Sequence, residues 1–315
     1  SLQAATYAEQ DAEAFANLLR DTVGVPRDRV KVLLGVLATA PAIRREVARA
    51  AEQVGHGGTL WVYFSGHGSP AEDDGWLMGQ NVVPAPDYLK DGAVSRRELV
   101  RLAGGVPADA RAVIVLDACF SGRDRAGGDL GQLRFAGMST LGVVSRVAVW
   151  SATQADQYAG PLPAAGHGLF TYFVVGALSG WADADGDGQV ALREAERYVG
   201  QAMSRALERA GRSQRPELKA ENAADAWVLS ELGAKAQAPP TVSERWLPPP
   251  GASTLGGVQV PGVEIDRGEG IVNAVVDDRG FLVVTTDPPG ARITLNGNEA
   301  GASPDISKTI RSIIH

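Results

Sequence analysis

Two unbroken apolar runs stand out in a chain that is otherwise amphipathic. They are Val113-Ile114-Val115-Leu116 and Leu60-Trp61-Val62-Tyr63-Phe64. Neither shows the period-two alternation of a half-solvated strand. Short apolar runs bounded by turn residues read as strands buried on both faces of a parallel sheet. Around them the period changes to that of a helix. Ala8, Ala12, Phe15, Leu18 and Leu19 predict an amphipathic helix within the first 21 residues. Gly24-Val25-Pro26 breaks it, and Val30–Leu34 reads as the next strand. Thr39 is placed to cap a second helix with Pro41 in its first turn and Ile43, Val47 and Ala51 on its buried side. Gly55–Gly58 ends that helix. The alternation predicts an α/β fold: a mostly parallel sheet with helices on both faces.

The pattern continues past the second apolar run. Trp76–Met78 reads as a short strand, and Pro84 and Pro86 mark an irregular loop. Ser95-Arg96-Arg97-Glu98 is a capping box ahead of Leu99, Val100 and Leu102. Arg146–Ser151 resumes the sheet, and Gly166–Thr171 opens an apolar helix reaching Leu178. Leu192, Ala195, Tyr198, Val199 and Met203 share one side of a helix over 191–209. Ala226–Leu229 reads as the last strand of this domain. Pro239, Pro240 and Pro248–Pro250 make a semi-rigid linker. Beyond it, Phe281–Thr286 and Arg292–Leu295 read as two strands, the second entering an Asn296-Gly297 turn. The expected organisation is a large domain over 1–232, a linker over 233–279 and a small β module over 280–315.

Composition narrows the function classes. The chain is 44% hydrophobic and 21% charged, as suits a folded domain with its own core. Its net charge is −7, with no stripe of Lys and Arg, which argues against nucleic acid as a partner. No apolar run approaches the roughly 20 residues of a membrane-spanning helix. The single cysteine excludes an internal disulfide, and a thiol that must stay reduced favours a cytoplasmic setting.

That cysteine carries the chemistry. Cys119 follows one apolar strand, at the carboxyl end where open α/β sheets place their ligand crevices. His67 ends the other, held between Gly66 and Gly68. Two strands each ending in a reactive side chain suggest a Cys/His hydrolase. His67 precedes Cys119 by about 50 residues, the spacing found in caspases. On the blocks Tyr63-Phe64-Ser65-Gly66-His67-Gly68 and Asp117-Ala118-Cys119-Phe120-Ser121-Gly122, the chain resembles the caspase-like cysteine peptidases, most closely their bacterial and metacaspase-type members. The likeness covers roughly the first three quarters of the chain.

The resemblance implies an endopeptidase that takes protein or peptide substrates. Cys119 is the nucleophile, His67 the proton carrier, and the N–H groups of Gly68 and Cys119 the donors to the developing oxyanion. Asp117, Asp11 and Ser65 match positions that bind Arg or Lys before the scissile bond. An ordinary helix carboxylate at Asp11, or a turn-orienting one at Asp117, is the alternative for each. Ser151–Gln157 matches a substrate-side loop, and Gln214-Arg215-Pro216 a Gln-x-Pro element. Arg123, Arg125 and Arg134 lie where relatives carry an activation linker, cut by the enzyme itself or a partner protease, so a zymogen is expected; a plain surface loop is the alternative. Relatives also carry a strand before the first helix, missing here, so a fragment or processed chain is expected, with something filling the slot. The tail resembles a PEGA domain, with Pro289 where its motif has glutamate, and implies attachment or protein contact. A catalytically silent scaffold acting through that tail is the competing reading. His56, His167 and His315 read as structural.

One motif stands apart. Asp183–Glu194, DADGDGQVALRE, fits every fixed position of a D-x-D-x-D-G-x5-E calcium loop. Asp183, Asp185 and Asp187 offer hard oxygens, Gly188 the sharp turn, Gln189 a carbonyl and Glu194 a bidentate carboxylate. An acidic turn between helices, or a calcium-binding adhesion module, are the alternatives. With no second copy of the loop, a lone structural Ca2+ site is expected.

Overall fold

The computed structural model describes residues 5–71, 74–83, 88–119, 142–153, 160–162, 165–208 and 214–232, with the backbone alone at 71, 119 and 208, and the backbone of six strands between 263 and 313. The chain divides into two units, Ser1–Glu244 and Arg245–His315. In the first unit, α1 is Ala8–Asp21, α2 Ala40–Gln53, β1 Thr59–Ala71, β2 Asp74–Met78, α3 the single turn Leu89–Gly92, β3 Ala93–Ser95 and α4 Arg96–Ala103. There follow β4 Arg111–Cys119, β5 Val147–Ser151, β6 Pro161–Leu162, β7 His167–Gly168 and α5 Leu169–Gly176, which runs on into a π-helical turn, Ala177–Trp181. Then come β8 Gln189–Ala191, α6 Leu192–Glu208, β9 Glu217–Lys219 and β10 Val228–Glu231.

The central sheet has the order β3-β2-β1-β4-β5-β9. β1, β4 and β5 are parallel, and the three outer strands join them antiparallel. Because successive side chains leave a strand on opposite faces, the apolar runs serve two layers at once. Leu60, Val62, Ala112, Ile114 and Leu116 pack with Val47 and Ala51 of α2 and with Leu99, Val100 and Ala103 of α4. On the other face Tyr63 stacks on Phe15 of α1, ring centroids 4.4 Å apart, and Trp61 meets the same ring edge-on. α5 lies on that second face beside α1. Both faces are therefore covered, as the uninterrupted runs require.

Both predicted caps form. Thr39 Oγ1 accepts from the Ala42 N–H at 3.4 Å, and Ser95 Oγ from the Glu98 N–H at 3.1 Å. The Glu98 carboxylate also takes Arg44 of α2, Nε at 2.9 Å and a terminal nitrogen at 3.0 Å, joining the two helices of that layer. Beyond His67, β1 bends into its hairpin with β2. Asp74 fixes the start of β2: it accepts from the Gly75 N–H at 2.7 Å and the Arg97 N–H at 3.0 Å, and pairs with Arg96 Nε at 3.3 Å. Burial pushes the Arg96 guanidinium below its ordinary value, and the Asp74 charge works against that fall.

Two expectations need correction, and one strand went unexpected. Val30–Leu34 is not a strand; it is an extended connection between short 3-10 turns at Arg27–Arg29 and Gly35–Leu37. A ladder needs a neighbour about 4.8 Å away. Here a cavity of about 840 Å³, lined by Phe15, Leu19, Val47 and the edge of β1, lies alongside the segment instead. The strand expected at Ala226–Leu229 starts later, at Val228, and pairs with β8 rather than with the central sheet. The outer position of that sheet belongs to β9, too short and too polar to register as a strand in the sequence.

The described elements of the second unit are all strands. β11 Val263–Asp266, β14 Arg292–Leu295 and β15 Asn298–Ala302 form one antiparallel sheet; β12 Ile271–Val276, β13 Phe281–Asp287 and β16 Ser312–Ile313 form another. β11 and β12 fall inside the expected linker over 233–279, so the β structure starts before the expected boundary at 280. No helix among the described residues is long and apolar enough to cross a membrane.

Candidate active site

The site follows from the pairing of β1 with β4. The parallel register sets Ser65 opposite Asp117, Gly66 opposite Ala118 and His67 opposite Cys119. Directly paired residues, and residues two apart on one strand, share a face. Ser65, His67 and Asp117 therefore stand on the face covered by α1 and α5, at the carboxyl ends of two central strands, the second of which ends at Cys119. His67 is half-buried and Gly68 buried.

The two carboxylates are held beside this array. Asp11 lies four residues before Phe15 on α1, on the stripe that faces the sheet, and is fully buried. An unpaired charge there would be costly, and the fold supplies donors. Asp11 Oδ1 accepts from His167 Nδ1 at 2.9 Å and from the Gly168 N–H at 3.0 Å. Oδ2 lies 3.2 Å from that same N–H and accepts from Ser65 Oγ at 3.2 Å. The Tyr7 hydroxyl is pushed above its ordinary value, by burial first and by the negative charge of Asp11 second. Asp117, also buried, accepts through Oδ2 from Thr171 Oγ1 at 2.5 Å and the Thr171 N–H at 3.3 Å. Since the Thr171 proton goes to the carboxylate, the 2.6 Å contact between Tyr63 and Thr171 has the tyrosine as donor. The short stretch from His167 to Thr171 thus holds both carboxylates. Its N–H groups at the start of α5 add the favourable end of the helix dipole.

Sequence reasoning missed the roles of four contributors. His167, read as structural, is a direct partner of Asp11. Thr171 and Tyr63 hold Asp117. Gln214 is noted in the sequence only as part of a Gln-x-Pro element; it is buried, donates to the Ala152 carbonyl at 3.1 Å and accepts from the Gly160 N–H at 3.0 Å. It bridges the two ends of the segment after β5. The usable signal was a polar residue on an apolar stripe, and only Asp11 offered it. Arg123, Arg125 and Arg134 lie outside the described residues, as do Phe120 to Gly122 and most of the expected substrate-side loop.

A caspase-domain family model matches residues 2–226. The chain belongs to the caspase-domain peptidase family. The family match spans the whole sheet and every residue of the array, so the fold is caspase-like and the domain is of a peptidase type. Among solved structures, a protein from Geobacter sulfurreducens is 19% identical, with a TM-score of 0.45, covering 70% of this chain and 87% of its own. Caspase-1 from Spodoptera frugiperda is 17% identical, with a TM-score of 0.43, covering 70% of this chain and 83% of its own. No curated protein sequence matches significantly. The family rests on the domain match.

The acidic loop sits apart from the caspase-type array, between the π-helical turn and α6. Carboxylate oxygens of Asp183, Asp185 and Asp187 gather within 4.8 Å of one another. Gly188 takes φ 79° and Gly186 φ 76°, the left-handed turns that glycine permits. Asp183 accepts from the N–H groups of Gly186 and Gly188 at 2.8 and 3.1 Å, and Asp187 from Gln189 at 2.7 Å. Glu194 stands off from the trio; its Oε2 accepts the Ala191 N–H at 3.0 Å. An all-oxygen donor set of this charge and curvature fits a hard divalent cation.

Proposed function

We propose that this protein is a cysteine endopeptidase that cleaves peptide bonds after Arg or Lys through Cys119 and His67. The single observation that carries the reading is the register of His67 with Cys119, two residues beyond the pair Ser65 and Asp117. A free thiol is largely protonated at neutral pH, so His67 takes the Cys119 proton as sulfur attacks the carbonyl carbon. The N–H groups of Gly68 and Cys119 receive the negative oxygen of the tetrahedral intermediate. The imidazolium returns the proton to the leaving amine and the C–N bond breaks, leaving a thioester. Water, deprotonated by His67, then attacks that thioester, releasing the acid and restoring the thiol.

Substrate preference follows from charge. Asp11 and Asp117 are both buried and both beside the array. Two carboxylates in a site of lowered dielectric attract a guanidinium or ammonium and repel an acidic side chain. Peptides differing only in the residue before the scissile bond test this. The expected result is rapid cleavage after Arg, slower after Lys and none after Asp; faster cleavage after Asp would overturn the reading. Cleavage at Arg123, Arg125 or Arg134 by the same specificity would activate a zymogen. The PEGA-like unit serves attachment or contact with a partner protein.

Asp183, Asp185 and Asp187 would hold Ca2+, with the Gln189 carbonyl completing the loop and Glu194 swinging in from α6. Bound there, the cation supplies charge neutralisation and ties α5 to α6. Millimolar Ca2+ is expected to raise the melting temperature of the intact chain by several degrees, and Asp185→Asn with Asp187→Asn to abolish the rise. An unchanged melting temperature in the parent protein would remove calcium from the account.

A further inference from the structure

The Asp11 carboxylate is engaged through both oxygens by three donors. An ionised carboxylate has about four lone-pair sites. On Asp11 they face His167, the Gly168 N–H from both oxygens, and Ser65. Its side chain has 0% exposure, whereas that of His167 has 28%. The imidazole therefore stands between the carboxylate and solvent. A cationic side chain arriving from solvent could pair bidentately with Asp11 only by displacing the ring.

The ring is also oriented. Nδ1 faces a carboxylate that can only accept, so Nδ1 carries the hydrogen and, in the neutral ring, Nε2 is left as an acceptor. Among the described residues the His167 ring makes no other hydrogen bond. A buried carboxylate that fixes a half-exposed imidazole is an arrangement that presents one nitrogen outward in a defined direction.

Building on the Arg/Lys reading above, we propose that His167 is a substrate-contacting specificity residue: Nε2 accepts an N–H of the cationic side chain, Asp11 acts through His167 as a positioning residue, and Asp117 supplies the second buried negative charge of the site. This divides two roles that the sequence assigned alike. It also accounts for the exposure difference between Asp11 and His167, which a direct contact to Asp11 leaves unexplained.

His167→Ala and His167→Asn separate the alternatives. Asn keeps an N–H donor for Asp11 but offers no acceptor at the Nε2 position. The expected result for an Arg-ended peptide is a rise in KM of tenfold or more in both variants, with kcat within about threefold of the parent. Recovery of the parent KM in His167→Asn would mean that the ring only steadies Asp11, and would overturn the proposal. So would an unchanged or lowered KM in His167→Ala, which would place Asp11 in direct contact. Binding of the same peptide to Cys119→Ala, with and without His167→Ala, is followed by calorimetry. Tenfold weaker binding on loss of His167 upholds the contact even where the parent enzyme cleaves nothing, a result that would sink the peptidase reading alone. No binding to Cys119→Ala with His167 intact would sink this proposal.

Discussion

Cys119→Ala and His67→Ala each reduce cleavage of an Arg-ended peptide to background, a loss of about 10⁴-fold or more. The size of the effect follows from the proposed mechanism, in which two residues opposite one another on adjacent strands act as one unit. Removing either leaves oxyanion donors and a charged pocket, which bind but do not break the bond. The double variant is expected to lose no more than either single one, since residues that share a step are not additive. Initial rates over the three variants check this. Retention of a tenth of the parent activity in either single variant would show that another pair does the chemistry.

Asp117→Asn is expected to lower kcat/KM for Arg-ended peptides by about 30- to 4,000-fold, carried mainly by KM. Truncating one partner of a buried, hydrogen-bonded charge pair costs about 2–5 kcal/mol, and about 1.4 kcal/mol is a factor of ten. The amide keeps the shape of the carboxylate and an acceptor for Thr171, so the loss reports charge rather than collapse. Substrates ending in citrulline, the uncharged counterpart of arginine, give the control. The parent enzyme should prefer arginine strongly, and Asp117→Asn should nearly equalise the two. A preference that survives the substitution would move the cation elsewhere. Thr171→Val, which removes the hydroxyl's hydrogen bonds to Asp117 and from Tyr63 and leaves the charge, should cost about tenfold.

Much of this was legible because it is local. Apolar runs without alternation specify strands covered on both faces, and the pairing of β1 and β4 bears that out. Thr39 and Ser95 announce helix starts through donors three residues away, a distance the sequence sees directly. Segments whose structure depends on neighbours were read less well. Val30–Leu34 has the composition of a strand, but strand formation requires a partner edge, and a cavity lies where one would stand. β9 has little strand character of its own and is ordered by the ladder it makes with β5.

The catalytic array divides the same way. The amino-acid sequence alone determined the candidate pair, since a cysteine and a histidine each ending an apolar strand can be recognised wherever those strands lie. Only the tertiary structure decided that Asp11 is buried, that His167 stands on it, and that Thr171 and Tyr63 hold Asp117. These partners are separated by up to 156 residues, in the case of His167 and Asp11. Periodicity records which way a side chain leaves its own helix or strand. It carries nothing about which distant group the fold brings to meet it, and a buried charge is defined by that meeting.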